Sequence, residues 1–288
     1  MDFVKHCRVK RADRMSLAKH DPADTGDIHT KESAVRLLER GIERLSAEQD
    51  RLFAQNTWSV LIILQAMDAA GKDSTVKHVM SGVNPQGCSV KSFKAPTAEE
   101  LDHDYLWRSA KALPERGCIG IHNRSHYEEV IVTRVHPEIL SRQQLPESAR
   151  GPKIWQRRFR EINRFERHLV DNGTIVLKFF LHVSKDEQRR RFLERMKEPE
   201  KYWKFQPGDV REREHWDEYM TAYEEVFRNT STKWAPWFVI PADRKWFSRL
   251  AVAEIIVNTL ADLKLRYPSV PDHARAEWRQ LRKQLESE

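Results

Sequence analysis

Apolar residues along this chain fall into two rhythms. Short continuous or alternating runs at 60–64, 88–93, 118–121, 174–183 and 237–240 predict five strands. Between them, apolar positions recur at three- and four-residue spacing and predict helices. One starts near residue 31, with Ala34, Leu37, Leu38, Ile42, Leu45 and Leu52 on one stripe. Others cover 75–80, 99–113 (Leu101, Tyr105, Leu106 and Leu113 inward), 155–169 (Trp155, Phe159, Ile162 and Leu169 inward) and about 246–265. Strands alternating with helices predict an α/β domain, a five-stranded parallel doubly wound sheet with helices on both faces.

The pattern is weaker at the ends and in one late stretch. Residues 1–30 are charged and aperiodic, with turn chemistry at 21–26, and predict an extended arm. Residues 185–232 are rich in Arg, Lys, Glu and Trp and predict two helices around a loop at 199–209. The aromatic stripe Trp216, Tyr219, Tyr223 and Phe227 in the second of these is expected in the core. The organisation is therefore an arm over 1–30, one domain over 31–265 and a charged surface helix over 266–288.

Charge and cysteine usage narrow the partners. The formal net charge of +7 favours polyanions: nucleotides, inorganic phosphate chains, nucleic acid or anionic membrane. Cys7, Cys88 and Cys118 are odd in number and share no C-x-x-C spacing, which argues against a disulfide framework or zinc site and for a reducing compartment. No apolar run approaches the ~20 residues of a spanning helix, and no apolar signal segment follows the basic N-terminus. A cytoplasmic protein without a membrane partner is expected.

Candidate chemistry begins where the first strand ends, at A-M-D-A-A-G-K over 66–72. Against the phosphate-binding loop G-x-x-x-x-G-K-[ST], Gly71 and Lys72 fit, Ala66 replaces the first glycine and Asp73 replaces the Ser/Thr. Such a loop turns backbone N–H groups and a helix N-terminus toward an anion. An ordinary strand–turn–helix with Asp68 as turn residue reads similarly, but two details oppose it. Lys72 would sit in a first helical turn, where the macrodipole disfavours a cation. Asp68 inside the loop would repel phosphate without a metal or basic group beside it. Together they predict a phosphate held by Lys72, with Mg2+ at the carboxylates.

The octet H-N-R-S-H-Y-E-E at 122–129 follows the third strand at once. Ligands of open α/β sheets sit beyond strand carboxyl ends, so Asn123, Arg124, Glu128 and Glu129 are site candidates; the alternative is an exposed charged loop. Arg157, Arg158, Arg160, Arg164 and Arg167 are expected mainly on a solvated face. Arg195, Lys201 and Lys204, around the 199–209 loop, have the character of a mobile basic lid.

The A-M-D-A-A-G-K-D loop, N-R-S-H-Y-E and the later W-A-P-W-F-V-I-P-A-D-R-K-W together resemble the polyphosphate kinase 2 family over about residues 15–265. The resemblance implies a thymidylate-kinase-like P-loop kinase fold with a helical lid at about 185–232. It implies transfer of a terminal phosphoryl group from inorganic polyphosphate to AMP or ADP, reversibly and with Mg2+ (Mn2+ as substitute). A homo-oligomer, dimer or tetramer, and adenine or guanine nucleotides are implied partners; nucleic acid is not. Asp68 and Lys72 match the pair that organises phosphate and metal, with Glu129 as a further metal ligand. Ala69, Ala70, Gly71, Asp73 and Ser74 complete the phosphate loop. Asn123 and Arg124 occupy a degenerate Walker B position where many members carry Asp in place of Asn123. The N-R-S-H-Y-E form is similar to the subgroup accepting nucleoside mono- and diphosphates, with Glu128 at a position tied to acceptor choice. Lys94, Arg134, Arg195, Lys204 and Lys245 fall in segments facing nucleotide (Arg134) or the polyphosphate channel. Two departures stand out: Glu129 where the subgroup often has Asp, and His122 where an apolar residue is usual.

Two other readings fit part of the chain. One is a P-loop kinase that uses ATP on a nucleoside or small metabolite; Asp68 and Asp73 beside the phosphates argue against it. The other is a non-catalytic polyanion or nucleic-acid binder, against which stands the lack of interleaved basic and aromatic residues on strands.

Overall fold

β1 (Ser59–Gln65) is buried at every position, as a strand covered on both faces must be. The computed structural model describes residues 1–10 and 12–288, so Arg11 of the expected arm lies outside the described residues. Among the described residues, β1 joins β2 (Cys88–Ser92), β3 (Ile119–Asn123), β4 (Thr174–His182) and β5 (Trp237–Pro241) in one parallel sheet. The order is β2-β3-β1-β4-β5. Leu64 of β1 pairs with Asn123, which pairs with Ser92, so β1, β3 and β2 end within a residue of one another, while β4 runs on past Phe179, the other partner of Leu64, to His182. The order reverses at β1, and the crevice beyond its carboxyl end is the place such a sheet offers a ligand.

Helices cover both faces. α1 (Phe3–Cys7) is capped by Asp2; α2 (Lys31–Gln55) is capped by Thr30 and ends at Asn56 in the left-handed region. α3 (Lys72–Val79) opens directly from the loop after β1. α4 (Ala98–Leu101) and α5 (Trp107–Ala110) are single turns, where periodicity predicts one helix over 99–113. The Asp104 side chain accepts from Leu106 N and diverts the backbone between them. α6 (Val132–Val135) and α7 (Pro137–Arg142) are likewise short. α8 (Ile154–Asp171) precedes β4, and α9 (Lys185–Lys197), capped by Ser184, follows it.

Next come α10 (Pro207–Arg211), α11 (Trp216–Thr230), α12 (Lys245–Asp262) and α13 (Asp272–Glu286). Alternation along β4 sorts the layers. Lys178 reaches Glu166 of α8 and Phe180 packs on Tyr223 and Phe227 of α11. The other face carries α12, against which α2 and α3 pack.

The arm expected over residues 1–30 packs on the domain: Phe3, Cys7, Val9, Met15 and Leu17 are buried, and Val9 N donates to Trp237 O along the free edge of β5. Covering an exposed sheet edge removes a pairing hazard. Within 185–232, α11 belongs to the core through Trp216, Tyr219, Tyr223 and Phe227, as its stripe predicts. The part standing clear of the core shrinks to 198–215, which contains no buried residue. α13 also has no buried residue. Among the described residues, no helix is long and apolar enough to cross a membrane.

Candidate phosphate-transfer site

The loop between β1 and α3 turns through two left-handed residues, Ala69 (φ 60°) and Gly71 (φ 112°). A Cβ at Gly71 would be strained by that φ and would come within 3.3 Å of the Ser74 hydroxyl, which donates to Gly71 O at 2.9 Å. Lys72 therefore points back across the loop. Its Nζ donates to Ala66 O at 2.8 Å and to Met67 O at 3.4 Å, and the side chain is buried. Burial, and next the charge of Arg124, bring Lys72 down to about 8, against the pull of Asp68, Glu128 and Asp73. The ammonium is held at the head of α3, where an anion would satisfy both it and the helix N-terminus.

The end of β3 meets this loop from the side. Arg124 adopts φ 64° and donates its N–H to Leu64 O at 3.0 Å. Its Nη2 reaches Asp68 Oδ1 at 2.7 Å and its Nη1 reaches Glu128 Oε2 at 3.1 Å. Glu128 first, and Asp68 after it, raise the guanidinium above its ordinary value despite burial. Asn123 Nδ2 donates to Asp73 Oδ1 at 2.7 Å, tying β3 to the first turn of α3. Arg124 thus joins Asp68 and Glu128, Asn123 joins Asp73, and Lys72 sits on the loop carbonyls within the field of Arg124, Asp68, Glu128 and Asp73.

The remaining candidates are placed differently. Glu129 is buried beneath the turn, accepting from Arg158 Nε at 3.0 Å on one oxygen and from Gln143 Nε2 at 2.7 Å on the other. Both of its oxygens are thus engaged by protein donors, whereas Asp68 Oδ1 accepts from Arg124. Arg158, expected with the solvated arginines, is its buried partner. Arg134 pairs with Glu225 of α11 and lies over Trp155. Lys94 is exposed.

Arg195 approaches Asp209 at 3.9 Å and donates to Lys204 O at 3.4 Å, while Lys204 Nζ lies over the Trp203 ring. Asp209, in α10, is raised above its ordinary value by burial and then by Asp68. Lys245, the first residue of α12, is lowered by burial and then by Arg191.

Arg191 is the residue the sequence reading missed. It is 3% exposed, and its Nη1 donates to Ala69 O at 3.0 Å and Ala70 O at 2.7 Å. Nη2 donates to Ala242 O at 2.6 Å and Asp243 O at 3.1 Å, and Nε to Glu187 at 2.7 Å. Gln188 Nε2 adds a bond to Asp68 O at 2.9 Å. Gln188, Arg191 and Phe192 form the buried face of α9; their three- and four-residue spacing is the signal that was there to read.

A sheet that reverses beside a phosphate loop, with a lysine and a strand-end arginine converging on it, defines a P-loop protein of the kinase type. The family model described as polyphosphate kinase 2 matches residues 29–268. The chain is 49% identical, over 283 residues and 98% of each chain, to a Rhodopseudomonas palustris protein named ADP-polyphosphate phosphotransferase. It is 46% identical over 269 residues to a Meiothermus ruber protein named AMP/ADP-polyphosphate phosphotransferase, covering 92% of this chain and 96% of that one. The crystal structure of polyphosphate kinase 2 from Arthrobacter aurescens matches with a TM-score of 0.90 at 38% identity, covering 98% of this chain and 97% of that one. The chain belongs to the polyphosphate kinase 2 family.

Proposed function

We propose that this protein is a polyphosphate:nucleotide phosphotransferase that moves the terminal phosphoryl group of inorganic polyphosphate to AMP and ADP, giving ADP and ATP, reversibly. The observation that carries the reading is Arg124 joined at once to Asp68 in the phosphate loop and to Glu128 on its own turn. A donor chain laid in the loop and an acceptor beside Glu128 would meet across that guanidinium. The names of the Rhodopseudomonas palustris and Meiothermus ruber relatives support the same donor and acceptors.

The chemistry asks little of a base. An acceptor phosphate with a second pKa near ~6 is already mostly anionic at neutral pH. The barrier lies in aligning two polyanions and spreading the charge of the transferring group. Lys72 and Arg124 supply fixed positive charge at that point, the N-terminus of α3 supplies backbone N–H groups, and Arg195 at the end of α9 and Lys204 in the exposed 198–215 segment bring further cations. Arg191 and Gln188 keep the loop carbonyls engaged, so they do not face the phosphates.

A divalent cation fits the donor set in part. Mg2+ takes one or two carboxylates and completes its shell from phosphate and water oxygens; Asp68 offers such an oxygen, whereas both oxygens of Glu129 are already occupied. Asp68 would hold it, and Mn2+ accepts the same oxygen donors. Bound there, the cation neutralises charge on the phosphoryl oxygens.

The test is direct. Purified protein is incubated with long-chain polyphosphate and AMP, ADP or GDP as separate acceptors, and products are resolved by chromatography. ATP from ADP, and ADP from AMP, are expected; the GDP arm reads guanine acceptance. Absence of product with every acceptor, alongside phosphorylation of a nucleoside by ATP, would overturn the reading.

A further inference from the structure

Beneath the Arg124 turn lies an ion pair that the proposed chemistry does not use. Lys178 of β4 and Glu166 of α8 are fully buried, with Nζ and Oε2 2.6 Å apart. Lys178 also donates to the Tyr127 hydroxyl at 2.9 Å and to Thr230 O at 2.8 Å, which uses all three of its protons. The Tyr127 hydroxyl in turn donates to Glu166 Oε1 at 2.7 Å. The ring of Tyr127 packs edge-on against Trp237, whose Nε1 donates to Thr230 Oγ1 at 2.9 Å. Buried His126 also faces the pair, its Nε2 3.7 Å from Glu166 Oε1, and the network draws together the turn after β3, β4, α8, α11 and β5.

Such a pair is a poor source of stability. Taking both charges out of water costs about as much as their attraction returns, and well-packed apolar residues often do as well. What the arrangement supplies is position. Tyr127 cannot shift without leaving Lys178 or Glu166 short of a partner, and a buried charge short of a partner is costly. Tyr127 lies three residues beyond Arg124 and immediately before Glu128. Arg124 sits at φ 64°, a backbone conformation that persists only where the surroundings over-determine it. On the far side, Glu129 is fixed by Arg158 and Gln143. The turn is therefore clamped at 127 and 129, and the two groups left facing the loop are Arg124 and Glu128.

We propose that Tyr127, fixed by Lys178 and Glu166, is a positioning residue for phosphoryl transfer: its buried hydroxyl locks the turn that aims Arg124 at the phosphate loop. The inference rests on the polyphosphate reading above. Tyr127 touches neither substrate; it acts through Arg124.

The experiment is a double-mutant cycle in the full chain with polyphosphate and ADP. Tyr127→Phe removes one oxygen and leaves Lys178 and Glu166 to each other. It should fold, as judged by circular dichroism and a cooperative melt, yet lose at least ~10-fold in kcat, while the polyphosphate KM moves less than ~2-fold. In an Arg124→Lys background, which already breaks the two-carboxylate grip, Tyr127→Phe should cost less than ~2-fold more. A second variant, Lys178→Met with Glu166→Leu, replaces the pair by apolar side chains. It should fold and still show the kcat loss, because the hydroxyl has lost both anchors. Retention of near wild-type kcat by Tyr127→Phe, full additivity with Arg124→Lys, or full activity in the apolar replacement would each overturn the inference. The wild-type control separates the two claims. A wild type that makes no ATP defeats the polyphosphate reading, whereas an active wild type with an indifferent Tyr127→Phe defeats only this one.

Discussion

Arg124 Nη2 lies 2.7 Å from Asp68 Oδ1, so the end of β3 and the loop after β1 are joined by a charge-assisted bond at the crevice of the sheet. The contact explains why a carboxylate can stand inside a phosphate loop: its charge is compensated before any ligand arrives. It also sets what the loop loses when that carboxylate is changed.

Asp68→Asn keeps the shape and removes the charge. Arg124 then leans on Glu128 alone, and the loop loses its anionic oxygen for a cation. The variant should need more Mg2+ for half-maximal ATP formation and should show lower activity at saturating metal. A metal titration that superposes on the wild-type curve would refute the role given to Asp68.

Lys72→Ala removes the buried ammonium at the head of α3. Loss of a preorganised charge at the transferring group typically costs ~100-fold or more in kcat, about 3 kcal/mol. Steady-state rates with ADP and polyphosphate measure it, and a variant with near-full turnover would refute the assignment.

The same lysine predicts a pH dependence. Burial and Arg124 place it at about 8 in the folded chain, against the ordinary 10.5. Between those values the unfolded chain binds more protons, so Lys72 makes stability rise with pH there. Binding runs the other way. Polyphosphate needs the ammonium and favours its protonated form, so the complex takes up a proton in that window. The polyphosphate KM should rise above about pH 8, and calorimetry at about pH 9 in two buffers should detect proton uptake. Lys72→Arg, whose guanidinium stays charged, should flatten the limb whatever its absolute rate. A wild-type KM that stays level to about pH 10 would count against this.

A second pH effect acts at the acid end, on stability. His122 and His182 are buried, and burial takes each from the ordinary 6.5 down to about 4. Unfolded chains protonate them as pH falls through the ordinary value; the folded protein resists until about 4. Stability that is present in full above 6.5 is therefore lost on going down toward 4, on the order of 3 kcal/mol for each ring. Denaturant titrations across that range should show the fall. His122→Leu should remove one share of it, although the variant leaves Ala112 O, which the ring now meets at 3.0 Å, without that partner.

How much of this was legible follows from what each feature depends on. β1 and its loop were readable because a strand buried on both faces must be an unbroken apolar run, and a phosphate loop must place Gly71 and Lys72 together. Asp68 and Lys72 were read from that loop motif, and Asn123, Arg124 and Glu128 from their place just beyond a strand end. The inward course of Glu129 was not legible: adjacent residues on a tight turn face opposite ways, and only the packing of α8 decides that Glu129 goes inward to Arg158. The contacts of the first thirty residues were hidden for a similar reason, since Val9 bonds to Trp237 of β5, Phe3 packs on Phe247 of α12, and Met15 and Leu17 bond to Arg228 and Glu224 of α11, each more than two hundred positions away. The break between α4 and α5 turns on one side-chain bond from Asp104, which periodicity cannot register.

Arg189, Arg190 and Arg191 are identical in sequence and different in consequence, which makes the last prediction a comparison. Arg190 is mostly exposed and pairs with Glu187 and Glu194 on its own helix. Arg191, one position on, reaches four carbonyls on two separate segments, the phosphate loop and the turn after β5. Arg191→Met keeps much of the bulk but strands those carbonyls and leaves Glu187 with one partner fewer. Bonds from charged donors are worth ~1.5–3 kcal/mol each, and the set is not additive, so a loss of at least ~3 kcal/mol in stability is expected. Activity should fall further than stability alone explains, because Ala69 and Ala70 carbonyls are freed to turn toward the phosphates. Arg191→Lys should rank between wild type and Met, since an ammonium cannot span both segments in the plane a guanidinium does. Arg190→Met, the neighbouring control, should stay within ~0.5 kcal/mol of wild type and keep its rate. Paired thermal melts and ADP-to-ATP rates for the three variants decide the matter: if Arg191→Met tracks Arg190→Met in both, the loop is held by something other than this arginine.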